Sequence, residues 1–408
     1  MKILVLNCGS SSLKFQLIET GAEQIRNNQD RVLAHGVVER IGSSDAKTTF
    51  EVPGSDRVQE TREILQHKDA IEAAFTFLRG EIKVIGDLQE IEGVGHRIVH
   101  GGERFQASTL IDDDVIKQIE ALSDLAPLHN PHNLKGYYAS KALLPHAAQA
   151  AVFDTAFHQT LPPHAYLYGL PYIYYTRDKL RRYGFHGTSH RFVSYRYAQI
   201  QSRPLADFKL ITCHLGNGCS ACAIDRGRSI DTSMGFTPLE GLIMGTRPGD
   251  LDPGAVLYMV NRAEMGMHEM EVTLNTHSGL YGISGVSGDM RDLLSQEQGN
   301  GRAKTAVDAF CYRVAKYIGS YFVALGGADA IVFAGGIGEN AAPVRARICE
   351  RLTAVGVEID SMRNEASNGK EAEISTDGSR VEAWVIPTNE ELLIARDTAR
   401  LMLGISQD

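Results

Sequence analysis

Long apolar runs are missing from this chain of 408 residues. None approaches the length that crosses a bilayer, and the N-terminal run Ile3 to Leu6 is too short for the core of a secretory signal. The sequence therefore reads as cytosolic, with no membrane partner. An excess of basic charge is missing too. The 41 lysines and arginines face 50 aspartates and glutamates, a net charge of −9. That argues against nucleic acid as a partner and leaves room for a local basic pocket that takes a small anion. Cysteine is sparse, at positions 8, 213, 219, 222, 311 and 349. Cys219 and Cys222 have C-x-x-C spacing, but no second pair follows, so they read as small residues on a buried strand and not as a metal or disulfide framework. Three familiar motifs are also absent. There is no G-x-x-x-x-G-K-[ST], no G-x-G-x-x-G with a suitably placed acid, and no H-E-x-x-H, because the glutamate is lacking between His186 and His190.

What is present is a repeated strand, turn and strand. Met1 to Leu6 reads as a short buried strand that enters Asn7-Cys8-Gly9-Ser10-Ser11-Ser12, and Lys14 opens the next apolar run. Two hundred residues later, Lys209 to His214 enters Leu215-Gly216-Asn217-Gly218, and Ser220 to Ile224 follows. Glycine allows close approach, the hydroxyls of Ser10 and Ser12 donate, and Lys14 adds charge, so each loop can cradle an oxyanion. Each loop alone is equally an ordinary hairpin turn. Two of them in one chain suggest a duplicated fold that closes on one polyphosphate.

Strand and helix patterns alternate, which predicts α/β layers. Residues 61–79 read as an amphipathic helix, Ile91 to His100 as a strand, Val115 to Leu122 as a helix, and Ala150 to Phe153 as a buried strand ending at Asp154. Residues 302–325 carry a long helical period. Ala330 to Ala334 is a buried strand, and Gly335 to Asn340 its turn. Val381 to Ile386 is a last strand, after which Thr388 and Glu391 fit a capping box. The stretch 361–380 reads as a surface excursion.

Several residues stand out chemically. Arg97 interrupts an apolar strand, and Arg247 lies in a Gly- and Pro-rich loop; a guanidinium binds carboxylate or phosphate bidentately, though each could also form a surface ion pair. Asp154 ends a buried strand, where α/β sites gather, and could orient a metal or nucleophile or merely cap a turn. His186 and His129 could donate to a phosphoryl oxygen or be satisfied core histidines. Glu390, with Asn7 and Asp154, would suit Mg²⁺, which takes few protein ligands. The third glycine loop, Gly336-Ile337-Gly338-Glu339-Asn340, could seat a nucleotide at a helix N-terminus.

These motifs resemble the acetokinase family, within the acetate and sugar kinase/heat-shock/actin superfamily. The match is carried in order by Asn7 to Lys14, Gly95 to Gly102, Pro127 to Pro131, Val152 to His158, Arg182 to His190, His214 to Gly218, Asp231 to Gly235, Gly245 to Arg247, Gly335 to Asn340 and Pro387 to Glu391. The resemblance implies two actin-like (ribonuclease H-like) domains from a duplicated βββαβαβα core, with a nucleotide cleft between them. Their implied bounds are 1–154 plus 387–408, and 155–386. It implies reversible phosphoryl transfer between ATP and acetate, giving ADP and acetyl phosphate, with Mg²⁺ or Mn²⁺, in a homodimer.

By the same resemblance Asn7 and Glu390 hold the metal, and Lys14 contacts a nucleotide phosphate. Arg97 and Arg247 flank the carboxylate and the moving phosphoryl. Asp154 is the essential aspartate, and His186 stabilises the transition state with His129 nearby. His214, Leu215, Gly216, Asn217, Gly218, Asp289, Met290, Arg291 and Gly336 to Asn340 bind nucleotide. Val99, Leu128, Phe185 and Pro238 surround the substrate methyl. Two positions depart from the family pattern: Cys219 stands where glycine is usual, and Pro248 where Ser or Thr is common. Competing expectations are a propionate or butyrate kinase, a non-enzymatic nucleotide switch, and a sugar kinase, the last disfavoured by the apolar pocket.

Overall fold

The computed structural model describes residues 1–406 apart from 81, 82, 124, 127, 128, 263 and 264. The chain forms two units. Residues 1–157 and the closing stretch from Asn389 make the first, and His158–Thr388 the second.

The first unit is built on one sheet of eight strands: β1 (Lys2–Cys8), β2 (Ser12–Glu19), β3 (Arg31–Glu39), β4 (Ser43–Glu51), β5 (Val58–Ile64), β6 (Ile91–Ile98), β7 (Thr109–Leu110) and β8 (Ala148–Phe153). Their order is β5-β4-β3-β2-β1-β6-β8-β7. Neighbours from β1 to β3 are antiparallel, whereas β1, β6 and β8 are parallel. Alternation along β1 builds two cores, because successive side chains point to opposite faces. Ile3 and Val5 pack with Ile394, Ala395 and Ala399 of the closing helix Glu390–Leu403. Leu4 and Leu6 join Ala70, Ala74 and Leu78 of the helix His67–Arg79. The closing helix lies tight on β6, which is glycine at the crossing. A Cβ on Gly95 would stand 2.6 Å from Ile394 Cγ2.

The second unit repeats the plan with β9 (Lys209–Leu215), β10 (Cys219–Asp225), β11 (Arg228–Thr232), β12 (Ala330–Ala334), β13 (Ala372–Glu373) and β14 (Glu382–Val385), in the order β11-β10-β9-β12-β14-β13. The senses also match: β9 to β11 antiparallel, β9, β12 and β14 parallel. So β3-β2-β1-β6-β8 and β11-β10-β9-β12-β14 are one pattern used twice. Helix Gly301–Leu325 packs on β9 and β10, and of the residues that carry its period Val307, Phe310, Val314 and Ile318 are buried while Phe322 is half-buried.

Four local expectations are corrected. Residues 61–64 belong to β5, and the helix starts at His67. Six of the seven β5 residues are exposed, so no buried period marked them as strand. Gly335–Asn340 is a short helix and not a turn. The stretch 361–380 is partly interior, with helix Ser361–Ala366, β13, and buried Asn364, Ser367, Ile374 and Ser375. The closing helix is capped by Asn389, whose Oδ1 accepts from Leu392 N at 2.9 Å, in place of the Thr388 and Glu391 box. Thr388 Oγ1 instead meets Ser189 Oγ at 2.8 Å.

Candidate active site

In the first unit, the β1–β2 hairpin is closed by Gly9 N donating to Ser12 O at 2.9 Å. A Cβ on Gly9 would press on Ser12 Oγ at 2.8 Å, so the tight turn favours glycine. Asn7 lies opposite Lys14 in the register. Ser10 and Lys14 are exposed and Ser12 half-buried, so these donors remain open to a ligand. The loop is held from behind. Asn133 Nδ2 donates to Cys8 O at 2.8 Å and His67 Nε2 bonds Gly9 O at 2.7 Å. Burial draws the His67 pKa down, so the ring is a neutral N–H donor.

The parallel register of β6 on β8 sets Arg97 beside Val152, and Asp154 follows where β8 ends. Asp154 is buried, and Arg97 grips it along one edge: Nε reaches Oδ1 at 3.0 Å and Oδ2 at 3.1 Å, and Nη2 reaches Oδ2 at 2.6 Å. Nη1 points toward Asn7 Oδ1 at 3.5 Å, and Glu390 Oε2 lies 3.8 Å from Nε. Burial alone would loosen the Arg97 proton, but Asp154 and then Glu390 outweigh it and hold the guanidinium charged. Glu391 titrates higher than a normal glutamate, first through burial and then through its neighbour Glu390. Val99 is half-buried, with its N–H on Asn133 Oδ1 at 3.1 Å, and exposed His129 is the N-cap of helix Asn130–Leu143. Leu128, expected in the methyl pocket, lies outside the described residues.

In the second unit, β9 ends with His214 and Leu215, and Gly216 N donates to Gly218 O at 3.1 Å across the loop. Cys219 has an ordinary φ and opens β10, and its thiol donates to Gly216 O at 3.0 Å. Burial pushes that thiol up to about 12, so it stays a neutral donor and stitches the loop.

His186 caps the helix Gly187–Ile200 in the left-handed region, φ 55°, a conformation costly for a non-glycine residue and concentrated at functional sites. Its ring stacks on that of His214, centroids 4.3 Å apart. Arg247 donates Nη1 to Pro238 O at 2.6 Å. A Cβ on Gly218 would meet Arg247 Nη2 at 2.9 Å and the His186 ring at 3.4 Å, so arginine, histidine and glycine loop converge there. Phe185 is buried, its carbonyl accepting from His158 Nε2 at 3.0 Å. No carboxylate among the described residues pairs with Arg247. Burial, its largest influence, pulls the pKa of this half-buried cation downward, so an anion at the loop would be drawn to it.

A cavity of about 560 Å³ in the second unit gathers Gly216, Asn217, Asp289, Met290, Arg291, Gly336, Ile337 and Asn340 from three separated stretches. Its walls also include Gly288, Leu294, Ala341 and Pro343, which sequence reasoning missed. Gly338 and Glu339, expected to bind nucleotide, are not among its lining residues. Glu339 Oε1 accepts from Gly335 N at 2.8 Å and Thr388 N at 3.0 Å. The helix Gly335–Asn340 is braced by Arg345, wholly buried, which donates to Gly338 O at 2.9 Å, Glu339 O at 3.0 Å and Asn364 Oδ1 at 2.8 Å. Burial lowers the Arg345 pKa to about 10.

The repeated strand order, with glycine loops following β1 and β9, gives the chain the actin-like ATPase fold. More narrowly, the chain belongs to the acetokinase family, whose model matches residues 2–396. It is similar to the acetate kinase of Chloroherpeton thalassium, at 50% identity over 99% of both chains. Among solved structures it is similar to Porphyromonas gingivalis acetate kinase, with a TM-score of 0.93 and 43% identity over 98% of this chain and 99% of that one. A propionate kinase from Francisella tularensis gives a TM-score of 0.90 and 42% identity over the same shares. The family brings with it ATP or ADP, a divalent metal and a small carboxylate substrate. Among the described residues no helix is long and apolar enough to cross a membrane.

Proposed function

We propose that the chain catalyses ATP-dependent, reversible phosphorylation of acetate to acetyl phosphate by direct in-line transfer. The observation that carries the proposal is Arg247, a half-buried cation without an acid partner among the described residues, set against a glycine loop and His186. Phosphoryl transfer leaves little covalent work for a protein, so positioning and charge neutralisation dominate. Arg97, Arg247 and His186 are the proposed source of that neutralisation. Asp154 keeps Arg97 oriented. Its carboxylate is occupied by the guanidinium, and acetate, ionised at neutral pH, needs no base.

The cavity beside Met290 and Ile337 is of the size that takes a nucleoside. Lys14, Ser10, Ser12 and the Gly216–Gly218 loop are proposed phosphate contacts. Asn7 and Glu390 are the proposed ligands of Mg²⁺ or Mn²⁺. They present one amide and one carboxylate oxygen, and a small oxygen set of this kind suits a metal that keeps waters and phosphate oxygens as its other ligands. Such a metal would offset phosphate charge. Val99, Leu128, Phe185 and Pro238 are proposed around the methyl. We also infer a homodimer, because exposed Leu257 lines, with Phe236, Leu239 and Val256, an apolar cavity of about 620 Å³, and the next residue, Tyr258, is exposed as well. Light scattering that gave a single 44.6 kDa chain would remove it.

Acyl phosphate trapped with hydroxylamine, from MgATP with acetate, propionate and butyrate in parallel, tests the proposal. Acetate should give the highest kcat/KM, with propionate lower by about tenfold, since one methylene in an apolar pocket separates substrates by about 1–3 kcal/mol. A higher value for propionate would rename the substrate, and no product from any acid would favour a nucleotide switch.

A further inference from the structure

Behind the His186 ring runs a chain of buried polar side chains that no substrate can reach. His186 Nδ1 lies 2.9 Å from Ser220 Oγ, Ser220 Oγ lies 2.8 Å from His190 Nε2, and His190 Nδ1 lies 2.7 Å from Thr212 Oγ1. Ser220, His190 and Thr212 are wholly buried.

The proton positions follow by elimination. Thr212 carries one hydroxyl proton, and His190 Nδ1 is its one side-chain hydrogen-bond partner among the described residues. A buried hydroxyl that fails to donate is left with an orphaned proton, which is costly. Thr212 therefore donates to Nδ1, and the single proton of a neutral His190 sits on Nε2. Burial keeps that imidazole neutral. His190 Nε2–H then donates to Ser220 Oγ. The proton of Ser220 has His186 Nδ1 as its remaining acceptor. His186 thereby accepts on Nδ1 and carries its own proton on Nε2, on the ring that borders Gly218 and shares that loop with Arg247.

We propose that Thr212, His190 and Ser220 are positioning residues that fix His186 as the neutral Nε2–H tautomer, a ready-made donor to a phosphoryl oxygen. Of these four side chains, His186 alone is proposed to touch substrate. The order runs from a strand side chain at Thr212 of β9, through the first turn of the helix Gly187–Ile200, to Ser220 of β10. These three elements converge behind one ring, so the direction of donation is set by the fold. The inference rests on the proposed role of His186 in transfer, but the tautomer can be read without activity.

The test is a long-range proton–nitrogen spectrum of the full-length chain labelled with [¹⁵N]histidine, the His186 signals assigned by their loss in His186→Gln. His186 should show pyrrole-type Nε2 and pyridine-type Nδ1. Thr212→Val should mix the two tautomers and lower kcat by about tenfold, the rate equivalent of one neutral hydrogen bond, with both KM values within about twofold. Thr212→Ser should restore spectrum and rate. If Thr212→Val does not fold, Ser220→Ala replaces it with the same expectation. A pyridine-type Nε2 in the unsubstituted chain overturns the proposal, as does a variant unchanged in both spectrum and kcat. Full activity in His186→Ala would remove the role of His186 in transfer while the spectrum still decided the tautomer.

Discussion

Arg247→Ala is expected to lower kcat about a thousandfold while ATP binding weakens only a few-fold, as expected of an arginine that acts mainly on transition-state charge. The size follows from the setting. Arg247 is half-buried, its Nη1 is tied to Pro238 O at 2.6 Å, and no described carboxylate neutralises it. A fixed, partly desolvated cation costs nothing to reorganise when charge develops on the moving phosphoryl, and a thousandfold corresponds to about 4 kcal/mol. Arg247→Lys should recover only a fraction, because an ammonium cannot reach Pro238 O and present a second donor at the same time. Steady-state kinetics, with nucleotide affinity measured separately by calorimetry, separates the two terms. A variant that retained kcat and lost only affinity would assign Arg247 to ground-state binding.

Asp154→Asn is the second large effect. The side chain of Asp154 is 1% exposed and that of Arg97 22%. Removing the negative partner leaves a half-buried guanidinium whose other carboxylate neighbour among the described residues is Glu390, 3.8 Å away. Breaking such a pair destabilises by about 3 kcal/mol. The amide cannot hold both Nε and Nη2, so Arg97 loses its fixed pose and kcat should fall about a hundredfold or more. Urea unfolding with parallel kinetics reads both. A lowered unfolding midpoint with normal turnover would make the pair structural only.

Much of this was legible because it is local. The strand, turn and strand repeats at Asn7 and Gly216 are visible as short apolar runs around small residues, and the period of 302–325 names the residues that pack. What failed is what depends on distant partners. β5 exposes six of its seven residues, so its pairing with β4 left no trace in the hydrophobic pattern. Thr388 looked like a cap by spacing, yet its hydroxyl meets Ser189, 199 residues away. Arg97 and Asp154 were each noticed, but their pairing across 57 residues depends on the β6–β8 register. Arg345, Ser220 and Thr212 were missed altogether. Their polar atoms are buried by partners from other elements, and nothing in their neighbours along the chain distinguishes them from ordinary helix and strand residues.

With Asp154 held in the fork of Arg97, and with Arg97 and Arg247 proposed to act as fixed cations, transfer should pass directly from ATP to the carboxylate with no phosphorylated side chain. The stereochemical course at phosphorus tests this most directly. ATP made chiral at its γ-phosphorus with three oxygen isotopes should give acetyl phosphate with inverted configuration, the mark of one in-line displacement. Retention would require two displacements through a phosphoenzyme, with Asp154 or Glu390 as the first residues to examine, and would contradict direct transfer.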